Sequence, residues 1–101
     1  MQEETVKLGG NIELSGFNDI DGASMVILKK IIGNQVKKFS KTVENYELLR
    51  LVKKNVHSNS KFEVHVLFAY NGNSVNVANI DNNLFMSVSG AMDKIRNSVE
   101  R

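Results

Sequence analysis

Residues 25–43 read MVILKKIIGNQVKKFSKTV and contain the longest regular pattern in the sequence. The apolar residues recur at intervals of 3, 4, 4, 3 and 4, at Met25, Leu28, Ile32, Val36, Phe39 and Val43. This spacing keeps them on one face of an α-helix for about five turns, and Ile31 widens that face. We therefore predict a long amphipathic helix that packs against a core.

Gly33 lies in the middle of this pattern, and the stretch IIGNQVKK raises the alternative of the GXXG loop with which KH domains bind RNA. The fourth position of such a loop is Val36 here, and Val36 belongs to the apolar face. Because the helical rhythm passes through Gly33 without a break, we interpret Gly33 as a helix-interior residue. That position costs the helix about 1 kcal/mol relative to alanine.

Lysines occupy the side of this helix that lies opposite the apolar face. Those on the opposite side are Lys30, Lys37, Lys38 and Lys41, with Lys29 on the flank. A solvated helix face usually mixes both signs of charge, but no acidic residue occurs between Met25 and Val43. A face of one sign repels itself and so favours an acidic partner, while merely solvated lysines are the alternative.

The rest of the chain alternates short apolar patterns with turn-forming residues. The predicted elements are a strand at 12–17, the helix already described, strands at 46–57, 61–70 and 74–80, and a final helix at 84–99. Asp19 or Asp21 is expected to cap the first helix, and residues 81–83 the last. SNS at 58–60 and NGN at 71–73 are the expected turns between strands.

This order predicts an α+β fold, β-α-β-β-β-α, with a four-stranded mixed sheet and two helices packed on one face. We expect residues 1–101 to form a single domain in which residues 1–5 are disordered.

The other face of the sheet is then open, and it suggests a second function. If Phe62 and Val64 face the helices, Leu67 faces outward, and Leu49 and Leu51 are candidates to accompany it. Exposed branched residues would suit a homodimeric structural or adaptor domain that associates through this face. The register stays open, because Leu48, Val52 and Val56 compete for the core.

Composition excludes several kinds of chemistry. The chain has no cysteine, which rules out disulfides and cysteine-ligated zinc. His57 and His65 have only Glu63 nearby, so we expect no metal site, and no motif indicates a cofactor or an enzyme. The start, MQEETVKLGG, has no apolar run, so we expect a cytoplasmic protein without a signal peptide or membrane span.

Further basic residues would extend the lysine side of the first helix. They are Lys53 and Lys54 on the second predicted strand and Lys94 and Arg96 on the last helix. With a net charge of +2 and a pI near 9.0, such a surface suits contacts to backbone phosphates rather than to bases. The aromatic residues are better placed in the core, so base stacking is not expected.

The closing stretch, NNLFMSVSGAMDKIRNSVER at 82–101, resembles the last helix of the ribosome hibernation-promoting factors, also called ribosome-associated inhibitors. That helix opens with an acidic and then an aromatic residue, continues with small apolar residues, and closes on a "DKLER"-like stretch. The matching positions here are Asp81, Leu84, Phe85, Ala91, Met92, Asp93, Lys94, Ile95 and Arg96. Residues 16–41 are similar to the first helix of the family, which also ends in lysines.

The resemblance implies a function. Members of this family bind small-subunit ribosomal RNA through basic helix faces, in the channel for messenger and transfer RNA, and so block translation. Carried over, it implies a short form without the long-form dimerisation domain. The implied ribosomal RNA contacts are Lys30, Lys37, Lys38, Lys41, Lys94 and Arg96.

Overall fold

Five strands and two helices make up the described part of the chain. The computed structural model describes residues 5–55 and 61–99. The elements are β1 (Thr5–Gly9), β2 (Ile12–Ser15), α1 (Gly22–Phe39), β3 (Tyr46–Asn55), β4 (Phe62–Tyr70), β5 (Asn73–Asp81) and α2 (Leu84–Val99). Val56, His57 and the predicted turn at 58–60 lie outside the described residues, as do residues 1–4, which were expected to be disordered.

The predicted four-stranded sheet is wrong, because the sheet has five strands in the order β1-β2-β3-β4-β5. The additional strand comes from a hairpin in which β1 pairs antiparallel with β2. Its turn uses Gly9, Gly10 and Asn11, whose φ angles are 89°, 59° and 60°. Glycine adopts this left-handed region without steric cost and asparagine tolerates it, so GGN can reverse the chain. The alternation at residues 12–17 predicted only the second strand of this hairpin.

Helix α1 connects β2 to β3, and these two strands pair in parallel. The other neighbouring strands pair antiparallel, which gives the mixed sheet that was predicted. Residues of both helices and of one sheet face share a single buried core, so both helices lie on one side of the sheet. At its centre the rings of Phe39 in α1 and Phe68 in β4 meet edge to face, with 4.8 Å between their centroids.

The register of β3 resolves which leucines face the core. The pairing with β4 shifts between Tyr46 and Leu48, so Glu47 forms a bulge that reverses the alternation. After the bulge, Leu49 and Leu51 face the helices and are fully buried. The expectation that they face outward is wrong, and the homodimer alternative loses these two residues.

The two helix caps and the turn at 71–73 follow the sequence prediction. The Asp21 side chain accepts a hydrogen bond of 3.1 Å from the backbone N–H of Ser24, and bonds from Ser24 lower the pKa of this carboxyl. Asn83 caps α2 in the same way, accepting from the N–H of Met86 at 3.1 Å. Asn71 and Gly72 have φ angles of 48° and 76°, as a type I′ hairpin turn requires.

Gly33 lies inside α1, so the structure excludes the GXXG loop. The helix ends at Phe39, where the N–H of Ser40 donates to the carbonyl of Val36 at 2.8 Å. The predicted helix was therefore one turn too long. Val43 still packs against the core, but it does so from the segment that follows the helix.

Candidate nucleic-acid interface

The buried side of α1 determines which lysines face solvent. Its buried residues are Leu28, Ile32, Val36 and Phe39. Since successive helix residues turn by about 100°, Lys30 and Lys37 point away from this side and Lys38 lies beside them. Lys41 lies in the turn after the helix, and all four lysines are exposed. We call Lys30, Lys37, Lys38 and Lys41 the lysine surface.

The lysine surface is not neutralised by the described part of the chain. None of its members forms an ion pair with a described carboxylate. Lys37 and Lys38 lie in the last turn of α1, where the helix dipole favours positive charge by about 0.3–1 kcal/mol. The dipole effect falls off within one turn. It therefore explains neither why a lysine occurs at position 30 in mid-helix nor why one occurs at position 41 after the helix has ended.

Lys53 and Lys54 lie on opposite faces of the sheet, because successive strand residues alternate. Lys53 faces the helices and is 4% exposed, and its ammonium lies 3.2 Å from Asp19. Lys54 is exposed and pairs across the strands with Glu63, on the face away from the helices. The geometry therefore joins neither residue to the lysine surface.

The two basic residues of α2 are engaged within the protein. Lys94 is exposed, and its ammonium donates a hydrogen bond of 2.6 Å to the backbone carbonyl of Ala78 in β5. The Arg96 guanidinium lies 3.3 Å from Asp93, which also accepts a 3.3 Å hydrogen bond from the side-chain amide of Gln35 in α1. Arg96 thus lies near the seam between the helices, whereas Lys94 reaches β5 at the edge of the sheet.

A groove beside α1 adds residues that the sequence pattern did not single out. It has a volume of about 370 Å³ and lies between the β1–β2 hairpin and the helix. Its described lining consists of Lys7, Leu8, Ile12, Lys29 and Gly33. The groove exists only because β1 folds back on β2, so it could have been anticipated only by reading GGN as a turn.

The outward side of α1 also carries apolar residues that the sequence analysis passed over. Val26 is 55% exposed and Ile27 is 47% exposed. They lie four and three residues before Lys30, about one turn of the helix, so the outward side is apolar in its first half and basic in its second. The sequence could have indicated their exposure, because positions 26 and 27 do not belong to the apolar face that contains residues 25, 28 and 32.

Other features of the described residues do not assemble a reactive centre. His65 and Glu63 lie two residues apart on the open sheet face, with 2.5 Å between Nε2 and Oε2. Within residues 5–55 and 61–99, no group of three or more potential ligands is arranged to hold a metal ion. Among those same residues, no helix is both long and apolar enough to cross a membrane.

The fold is therefore an α+β layer pair, with a mixed five-stranded sheet on one side and two helices on the other, and its first helix presents a cationic surface. No protein-family model matches the sequence, and no curated protein matches it. Solved structures with this fold include the N-terminal domain of Protein Y from Thermus thermophilus. It has a TM-score of 0.60 and 18% identity, over 81% of this chain and 84% of that chain.

A ribosomal subunit interface protein from Coxiella burnetii shares the fold as well. Its TM-score is 0.60 and its identity 13%, over 80% of this chain and 82% of that chain. At such identities the likeness shows a common fold. The expected resemblance to ribosome-associated proteins is thus confirmed at the level of the fold.

Proposed function

We propose that this protein binds the small ribosomal subunit and contacts the phosphates of its RNA through the lysine surface. The observation that carries the proposal is the lysine surface itself, four exposed ammonium groups without a described carboxylate partner. A fold shared with a ribosomal subunit interface protein supports the ribosome as the source of that phosphate. Such a protein would act in the cytoplasm.

The chemistry of the surface favours backbone contacts. Lysine is a flexible point charge that binds phosphate without reading base edges. Lys30 and Lys37 lie seven residues apart, which is roughly 10 Å along the helix axis, so the surface spans several phosphates of one strand. Arg96 would add to the surface only on release from Asp93, whereas Lys53 is left out because it is buried.

As a finer proposal, binding silences translation. A small domain held by RNA phosphates where messenger and transfer RNA pass would exclude both by occupying their space. An addition of the purified protein to a translation extract is then expected to lower the yield of a reporter. Excess transfer RNA is expected to compete with the protein for the small subunit.

Co-sedimentation with purified small ribosomal subunits, at low and moderate salt, tests the proposal. We expect the protein in the ribosomal pellet at low salt and a smaller share of it at moderate salt. The release of condensed counterions from RNA favours binding, and this gain shrinks as the salt concentration rises. A variant with Lys37→Glu, Lys38→Glu and Lys41→Glu is expected to stay in the supernatant. Absence of the unaltered protein from the pellet at low salt would overturn the proposal.

A further inference from the structure

The groove between the β1–β2 hairpin and α1 combines an apolar floor with a cationic wall. We propose that it binds one unpaired nucleotide of the RNA, with the base against Leu8 and Ile12 and a phosphate near Lys29. This inference rests on the proposed function and names the RNA feature that the protein would select. The parts of the groove are a bare stretch of helix, one lysine and an aliphatic floor.

Gly33 supplies the bare wall. Glycine inside a helix costs about 1 kcal/mol relative to alanine, so some gain is expected from the missing side chain. Packing does not supply that gain, because a Cβ built at Gly33 meets no described atom within 4 Å. The absent side chain instead leaves the backbone of α1 open to the groove. A larger residue at this position would project into the space that the nucleotide occupies.

Lys29 supplies the charge. It is exposed and reaches the groove from α1. Lys7 lines the groove from β1, but it pairs across the hairpin with Glu13, so its side chain lies on the sheet face away from the helices. No carboxylate is among the described residues that line the groove. Lys29 precedes Lys30 directly, so the groove continues the lysine surface. A strand whose phosphates lie along the lysine surface would therefore bring its next nucleotide to the groove.

Leu8 and Ile12 supply the floor. Both are partly buried and pack against the core, which holds them in place. A volume of about 370 Å³ lies at the lower end of the range of small-molecule sites, roughly 300–1,000 Å³, and suits one nucleotide better than a run of stacked bases. RNA offers such a group at bulges and loops, where unstacked bases turn away from the helix.

Fluorescence anisotropy with two labelled RNAs tests the inference. One RNA is a perfect duplex, and the other is the same duplex with a single-nucleotide bulge. We expect the unaltered protein to bind the bulged RNA about fivefold more tightly, and Gly33→Leu to lose this preference while its affinity for the duplex stays within about twofold. Asn34→Leu is the matched control, because Asn34 is exposed and outside the described lining of the groove, and it should keep the preference.

Each outcome decides a different question. Equal binding of both RNAs by the unaltered protein would overturn the inference and leave the proposed function standing. Binding of neither RNA would remove the proposed function and the inference with it. A preference that survives in Gly33→Leu would show that the groove does not hold the bulge, and so would an equal loss for both RNAs by a folded variant. Should Gly33→Leu fail to fold by circular dichroism, Lys29→Gln must show the same selective loss.

Discussion

Lys53 Nζ lies 3.2 Å from Oδ1 of Asp19, on the sheet face that packs against the helices. The Lys53 side chain is 2% exposed, whereas that of Asp19, in the loop before α1, is 57% exposed. The ring of Phe62 lies beneath the ammonium, at 5.8 Å from Nζ to the centroid. A buried ammonium is costly unless it is paired, so the carboxylate and the ring stabilise it. The pair also ties the loop before α1 to the sheet.

Removing the carboxylate should destabilise the fold. We expect Asp19→Ala to lower the free energy of unfolding by about 1–3 kcal/mol, which is less than the loss of a fully buried pair because water already reaches Asp19. Urea denaturation followed by circular dichroism measures the change. Adding Lys53→Met should recover most of it, since the methionine keeps the apolar stem and removes the charge. If Asp19→Ala and the unaltered protein had the same free energy of unfolding, this account would be contradicted.

Gly33 and Gly90 should respond oppositely to the same substitution. Both lie inside helices, but a Cβ at Gly90 would collide with the side-chain amide of Asn79, which donates a 3.1 Å hydrogen bond to the carbonyl of Ser87. We expect Gly33→Ala to raise the free energy of unfolding by about 0.5–1 kcal/mol and Gly90→Ala to lower it by about 1 kcal/mol. Thermal and urea unfolding measure both.

A double variant separates the collision at Gly90 from other causes. In an Asn79→Ala background the obstructing amide is gone, so Gly90→Ala should become neutral or stabilising there, as helix propensity alone requires. If the loss persists in that background, the close approach of α2 to β5 is not its cause.

How much of the fold could be predicted depended on the length of each pattern. Helix α1 was predictable because six apolar residues at 25–43 recur at intervals of three or four, although its end at Phe39 was not. The β1–β2 hairpin was missed because its strands are only 5 and 4 residues long, too short for alternation to be clear. The sequence did not decide which residues of β3 face the core, because the bulge at Glu47 shifts the alternation and the apolar residues of the strand then fit two registers.

The candidate site was predictable only where it lies on one element. Helical periodicity alone places Lys30, Lys37 and Lys38 on the side opposite the core. Adjacent strand residues face opposite ways, so Lys53 and Lys54 were never able to share a face, and the sequence already implied this. The Arg96–Asp93 pair is local, since the two residues lie three apart on α2. The partner of Lys94 and the groove that contains Gly33 depend on contacts between distant segments and needed the structure.

The Tyr46 hydroxyl should stabilise the hairpin turn. It lies 2.8 Å from the carbonyl oxygen of Gly10 and 3.0 Å from that of Asn11 and donates to them. We expect Tyr46→Phe to lower the free energy of unfolding by about 0.5–1.5 kcal/mol and to speed amide exchange in β1 and β2. Tyr70→Phe is the control, because no hydrogen bond joins the Tyr70 hydroxyl to a described residue. Equal effects of the two substitutions would contradict the assignment.

The same tyrosine should make stability fall at high pH. Burial raises the pKa of Tyr46 above its usual 10.0, against a smaller lowering by a backbone hydrogen bond from Leu49. Above pH 10 the unfolded chain therefore releases a proton that the folded protein still holds, and the free energy of unfolding declines until the folded pKa is passed. Urea unfolding between pH 9 and pH 11 measures the slope. The free energy of unfolding of Tyr46→Phe should decline less steeply with pH than that of the unaltered protein. Identical slopes would contradict the prediction.

The lysine surface should act as a set of individual phosphate contacts rather than as bulk charge. Each lysine that binds a phosphate releases about one counterion, so Lys30→Gln or Lys37→Gln should reduce the slope of log affinity against log salt by about 0.7–0.9 and weaken binding to every RNA alike. Lys54→Gln removes the same charge from the far face of the sheet. If net charge alone attracted RNA, Lys54→Gln would lower affinity and slope as much as Lys37→Gln. Titrations of the three variants at several salt concentrations measure both quantities. If α1 forms the interface, the affinity and the salt slope of Lys54→Gln should stay close to those of the unaltered protein, and those of the other two variants should fall.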